Sequence, residues 1–206
     1  MRTEGTDLYS KKLGLRFFHI PKNAMMSVIR GNNKALGFEW TLLTDIPKET
    51  KIFCILRDPF DKFVSSFYQV IIIFGGDESR KRTTEYKKIL KRIRDCNTIS
   101  EKISTYINEI QNNGFFDSHI YPQTHFLNYE KFSRNINMVD HFLDFSNLET
   151  ELKSLIGDSA LFLEHHNKGK TNELKKYFEP YRSQIENLYK EDYNMYINKF
   201  PKYEDI

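Results

Sequence analysis

Two short apolar runs, each cut off by a polar turn and followed by helical periodicity, constrain this chain more than any other feature. Residues 13–20 (LGLRFFHI) and 52–56 (IFCIL) are rich in aromatic or β-branched side chains and bounded by proline or charge. Runs of that length and content read as buried strands. Repetition of strand, turn and helix predicts an α/β fold with a central, mostly parallel sheet flanked by helices. In such sheets ligands bind beyond the carboxyl ends of the strands, where both polar turns belong.

The remaining elements are mostly helical. Phe63, Val64, Phe67 and Ile71 recur at helical spacing over residues 60–74, with Asp58 placed to cap and Pro59 suited to a first turn. Residues 83–95 and 100–111 predict two more helices. Residues 117–129 predict a loop around Pro122. Residues 146–156 predict a short helix with Ser146 and Glu149 placed as a capping box. Tyr181, Ile185, Leu188, Tyr189, Tyr193 and Tyr196 mark an amphipathic C-terminal helix from near Pro180.

A length of 206 residues, with no repeat or long linker, fits one domain over 1–206. The longest apolar run, residues 70–74, is far too short to span a bilayer, and the opening residues lack the apolar stretch of a signal peptide. Cys54 and Cys96 form neither a disulfide framework nor a metal motif, so a cytoplasmic, reducing location is expected. A net charge of +3 does not by itself call for nucleic acid, and no nucleic acid partner is expected.

The first turn reads HIPKNAMMS. A strand ending at Ile20, a turn at Pro21 and a helix from about Ala24 aim main-chain N–H groups at one point, a setting that favours anions. Lys22 adds a mobile cation and Ser27 a hydroxyl. The glycine-rich pattern of a nucleotide kinase loop is absent. The second turn reads RDPFDKFVSS. Arg57 offers a planar fork suited to phosphate, and Lys62 and Ser65 share one helix face, expected to be open to a ligand while Phe63 and Phe67 face the core. Either turn alone is also what an ordinary solvated surface turn looks like.

Together, HIPKNAMMS and RDPFDKFVSSFY resemble the 5′-phosphosulfate and 3′-phosphate motifs of the sulfotransferase superfamily. The similarity is greatest to the Golgi-type carbohydrate sulfotransferases (sulfotransferase family 2) and their microbial relatives. DSHIYPQTHFL is similar to the family segment with His-x-x-Pro-Gln, FSNLETEL to a later Asn-Leu-Glu segment, and HHNKGK to the loop after it. The resemblance spans residues 16–196. It implies a three-layer, P-loop-like fold and 3′-phosphoadenosine 5′-phosphosulfate (PAPS) as the donor co-substrate. Lys22, Asn23, Ala24, Met25, Met26 and Ser27 would then cradle the 5′-phosphosulfate. Arg57 and Ser65 would bind the 3′-phosphate, with Lys62 where the family often has arginine. Met25 and Met26 depart from the small residues common in the family loop.

Sulfuryl transfer proceeds by in-line attack of an acceptor hydroxyl on sulfur, so catalysis rests on positioning and on charge stabilisation at the leaving phosphate. Lys22 is the expected stabiliser. The family draws its base from a His or Glu; His119 is the first candidate here, Glu39 the second, and His19, at a strand end, suits a structural role better. His125, His141, His165 and His166 lack ligand spacing, so no metal is expected. The implied acceptor is a hydroxyl-bearing carbohydrate. Residues 80–94, with eight Lys or Arg and one acidic residue, would suit an anionic one, although such a run is more often a solvated helix face. A nucleotide kinase and a binding-only, degenerate sulfotransferase-like domain stay open as alternatives.

Overall fold

A computed structural model describes residues 6–29, 36–73, 83–130, 134–157 and 168–201. The chain divides into two compact units. One unit draws on Met1–Asp58, Pro122–His166 and Asn194–Ile206, the other on Pro59–Tyr121 and Asn167–Tyr193.

The first unit holds the sheet. Strands β1 (Thr6–Ser10), β2 (Leu15–Phe18), β3 (Phe38–Leu42), β4 (Lys51–Leu56) and β5 (His141–Asp144) stand in the order β3-β1-β2-β4-β5. Strands β2, β4 and β5 run parallel, whereas β1 is antiparallel to both β2 and β3. The sheet is therefore mixed rather than mostly parallel. Both apolar runs do form adjacent parallel strands, β2 and β4. The antiparallel arm lacks an apolar run: β1 carries Thr6, Asp7 and Ser10, and β3 exposes Glu39, Trp40 and Leu42 on an edge. Gly14, at φ 63°, supplies the left-handed residue that turns β1 into β2.

Rings pack the sheet from strand to strand. Phe17 and Phe53 are register partners and stack with centroids 4.7 Å apart. Beneath β1 and β2 lies a buried charge cluster. The Asp7 carboxylate accepts from Arg134 Nη2 at 2.6 Å and from Arg16 Nε at 3.0 Å. Both guanidiniums lie over the Phe18 ring, at 4.6 and 5.0 Å. One turn of helix, α1 (Met25–Ile29), follows β2.

The second unit is helical in its described part. It begins with α2 (Pro59–Phe67), which loosens into a π-helical stretch over Tyr68–Ile73. Helix α3 (Thr84–Arg94) is capped by the Thr83 side chain, and α4 (Ile99–Asn113) by a capping box of Thr98 with Glu101. Phe63, Phe67, Tyr106, Phe178 and Tyr189 fill its core with edge-on ring contacts.

Back in the first unit, the stretch expected to loop around Pro122 forms a short helix, α5 (Gln123–Leu127). Helix α6 (Leu148–Ile156) follows a 3-10 turn at Phe145–Asn147, and the expected capping box is absent. Asp144 caps that turn through Ser146 N–H at 3.0 Å, while Glu149 pairs with Lys153 at 2.8 Å. In the helical unit α7 (Lys168–Phe178) precedes Pro180, and the helix expected from there on is divided into α8 (Arg182–Leu188) and α9 (Lys190–Lys199). Among the described residues, no helix is long and apolar enough to cross a membrane.

Candidate functional site

The turn after β2 has a backbone that its sequence does not announce. Lys22 and Ala24 have φ of 71° and 58°. Each left-handed non-glycine residue costs on the order of 1–3 kcal/mol and persists only where its surroundings fix it. Asn23, fully buried between them, does the fixing. Its Nδ2 donates to Ile55 O at 2.8 Å and to Gln123 Oε1 at 2.5 Å, while its main-chain N–H closes on Ile20 O at 3.2 Å. Alternation of φ sign over three residues is the device that curls a backbone into a concave anion-binding turn.

Gln123 opens α5 and is likewise fully buried. Its Oε1 also accepts the Arg57 N–H at 3.0 Å, and its Nε2 donates to the Arg57 carbonyl at 2.8 Å. One side-chain amide thus satisfies both main-chain groups of the residue where β4 leaves the sheet, as a neighbouring strand would. Arg57 then reaches across to the first turn. Its Nη1 donates to Lys22 O at 3.2 Å, and its guanidinium lies 4.4 Å over the Phe145 ring.

Two cations therefore meet at the carboxyl ends of adjacent parallel strands. Burial first, then the charge of Arg57, pulls the Lys22 ammonium down to about 8. A bound anion beside both groups would relieve their repulsion. The arrangement suits an anion by its electrostatics. Comparison with family models, with curated proteins and with solved structures gives no match. The chemistry of the site accordingly rests on its own geometry.

Around this pair the other loop residues take different parts. Ser27 lies half-buried in α1. Ala24 accepts the Val28 N–H at 3.1 Å and so starts the helix. Ala24 and Met25 pack against the sheet core of Leu8, Phe17, Val28 and Phe53, which gives the large Met25 side chain a place where the resembled family has a small one. Met26 belongs to α1 by its backbone; its side chain lies outside the described residues, as do His165, His166 and the basic stretch before Thr83.

The helical unit corrects the expectation of an open ligand face on α2. Lys62 and Ser65 are buried, with Lys62 only 1% exposed. The Lys62 ammonium donates to Tyr121 O at 2.7 Å and to His119 O at 3.3 Å. Ser66, which the sequence did not single out, donates to the same His119 carbonyl at 2.6 Å. A buried lysine is tolerated on this helix because main-chain carbonyls of the 117–121 turn receive its protons. His119 itself is half-buried and meets the buried Asp117, Nδ1 to Oδ1 at 2.5 Å. Asp61 pairs with Lys175 at 2.7 Å.

Glu39 is not brought to the two turns. It stands exposed on the edge strand β3, opposite Tyr9, and Tyr9 in turn pairs with Arg16. That register puts Glu39 level with the start of β2, whereas Lys22 follows its end. His19 is buried against Arg134, Nδ1 to Nη2 at 3.0 Å, and belongs to the Asp7 cluster. Sequence reasoning missed the amide of Gln123 and the carboxylate of Asp117. Both stand in the DSHIYPQ stretch that carried the His-x-x-Pro-Gln resemblance.

Proposed function

We propose that this protein transfers a sulfuryl group from PAPS to a hydroxyl acceptor, with Lys22 and Arg57 gripping the donor on a P-loop-like unit. The observation that carries the proposal is the meeting of these two cations beyond β2 and β4, at a turn held in a costly backbone conformation. Those are the two segments whose residues resemble the 5′-phosphosulfate and 3′-phosphate motifs.

In the proposed step the acceptor oxygen forms a bond to sulfur while the bond from sulfur to the bridging oxygen breaks. The electron pair goes to that oxygen, and Lys22 stabilises the charge that gathers there. A lysine poised near neutrality can also hand over a proton as the phosphate leaves. Arg57, fixed by Gln123 and by the Phe145 ring, supplies a planar fork for a second phosphate. Ser65 is buried within its own unit, so recognition of the 3′-phosphate is assigned to Arg57. A carbohydrate acceptor follows from the resemblance.

Labelled sulfate transfer from PAPS to a panel of glycans, simple sugars and small alcohols tests this function. Transfer to at least one acceptor class, abolished in Lys22→Ala, supports it. No transfer to any class, with magnesium-dependent phosphate transfer from ATP instead, refutes it.

A further inference from the structure

A cavity of about 640 Å³ opens where β2, β4 and β5 begin, at the other end of the strands from Lys22 and Arg57. Register explains its walls. Leu15 pairs with Lys51 and Phe53 with His141, so alternation puts Leu15, Lys51, His141 and Leu143 on one face of the sheet. Helix α6 covers that face, where Leu148 and Leu152 pack with Phe17, Phe53 and Leu143. Nearer the strand starts, a lysine and a histidine stand where a core needs apolar side chains, and the packing stops short. Glu151, Ser154, Leu155 and Ile156 close the space from the helix side.

The lining is aliphatic at its floor and charged at its walls. Leu15 and Leu143 are buried, and Leu13, Leu155 and Ile156 are half-buried. The Lys51 ammonium belongs to the sheet side and the Glu151 carboxylate to the helix side, and the two form no ion pair. Glu151 is fixed in place, since its Oε2 accepts the Asp144 N–H at 2.7 Å. Its Oε1 has no hydrogen bond among the described residues. Burial raises the Glu151 carboxyl, the Asp144 N–H opposes that rise and the Asp144 charge adds to it, so a cation beside Oε1 would steady the ionised form.

Charge complementarity selects the occupant. A simple anion would face Glu151, and a simple cation would face Lys51. An uncharged apolar molecule would strip water from both charges without replacing it. A zwitterion with aliphatic side chains meets both charges and covers the leucines. Size selects further. At about 30 Å³ each, on the order of twenty waters fill the cavity, a space that suits a dipeptide better than a single amino acid.

We infer that this cavity binds a dipeptide with aliphatic side chains, its terminal carboxylate on Lys51 and its terminal ammonium on Glu151. The site is separate from the proposed donor grip. The 6 residues of β4, about 20 Å of strand, lie between the cavity and Arg57, so the inference stands whether or not PAPS is the donor.

Calorimetric titration of the whole protein with leucyl-leucine tests it, beside N-acetyl-leucyl-leucine, leucyl-leucinamide and octanoate. Leucyl-leucine is expected to bind with Kd below about 1 mM, and loss of either terminal charge should weaken it on the order of 10-fold or more. The amide should cost nothing further in Lys51→Gln, and the acetylated peptide nothing further in Glu151→Gln. Ser154→Trp, which sets a ring in the exposed mouth, should abolish binding. Failure of leucyl-leucine to bind the wild type, equal binding of the capped peptides, or tighter binding of octanoate would overturn the inference, and none of these readings needs a variant to fold. Wild-type affinity in all three variants would put the peptide elsewhere and overturn it equally.

Discussion

Nη1 of Arg57 donates to the main-chain carbonyl of Lys22 across 3.2 Å, and that one bond sets two cations side by side where β2 and β4 end. The arrangement is costly in the free protein. Lys22 loses proton affinity there, and the turn around it holds two left-handed non-glycine residues. Buried amides maintain it from behind: Asn23 ties the turn to Ile55, and Gln123 ties both turns together.

Donor binding should depend on pH through Lys22. Its value of about 8 lies below the ordinary 10.5, so the charged form destabilises the free fold below about 8 and that cost is relieved as pH rises from 8 to 10.5. A bound polyanion favours the charged form, so binding takes up a proton, and affinity for adenosine 3′,5′-bisphosphate falls as pH climbs above about 8. Calorimetry in buffers of different ionisation enthalpy reads both effects. Lys22→Arg, which stays charged, should flatten the dependence; a dependence unchanged in that variant would exclude Lys22 as its source.

Removing the Gln123 amide should loosen both turns at once. Gln123→Ala leaves the Arg57 N–H, the Arg57 carbonyl and one Asn23 proton without the partner they have now. Each abandoned buried group costs about 1–3 kcal/mol before any water enters, so a loss of a few kcal/mol is expected in urea unfolding. Weaker bisphosphate binding should accompany it. A variant as stable as wild type would show that the amide is not what holds the strand ends.

Asp7 should prove a stability residue with no part in donor binding. Its carboxylate is the counter-charge for Arg16 and Arg134, and losing it in Asp7→Asn should cost about 3–5 kcal/mol in denaturant unfolding. Burial pushes its carboxyl up, but the His19 hydrogen bond and the two guanidiniums outweigh burial and hold it below the ordinary 3.8. Its stabilisation is therefore complete above about 3.8 and lost as pH falls further, a limb that the Asn variant should lack.

Much of the candidate site was legible because its strands announce themselves. Runs such as IFCIL, stopped by Arg57 and Pro59, leave few alternatives to a buried strand leading into a polar turn. The mixed character of the sheet was not legible, because β1 and β3 mix polar with apolar residues and contain no apolar run like those of β2 and β4. Lys62 was misjudged for a physical reason. Helical spacing places it beside Ser65, but spacing cannot say that a distant turn lays two carbonyls over that face. The left-handed φ of Lys22 and Ala24 was equally hidden, since both residues favour other conformations on their own and are held by buried amides far along the chain.

The central claim is that Lys22 and Arg57 form the grip for a nucleotide bearing phosphates at both its 3′ and 5′ positions. Titration calorimetry with adenosine 3′,5′-bisphosphate, set against ATP with magnesium, addresses it directly in the wild type and in Arg57→Ala. The expected result is that the bisphosphate binds more tightly than ATP without needing magnesium, and that Arg57→Ala weakens it by on the order of 10²-fold, the worth of a charge-assisted fork on phosphate. Tighter, magnesium-dependent binding of ATP, or bisphosphate binding that ignores the loss of Arg57, would contradict it.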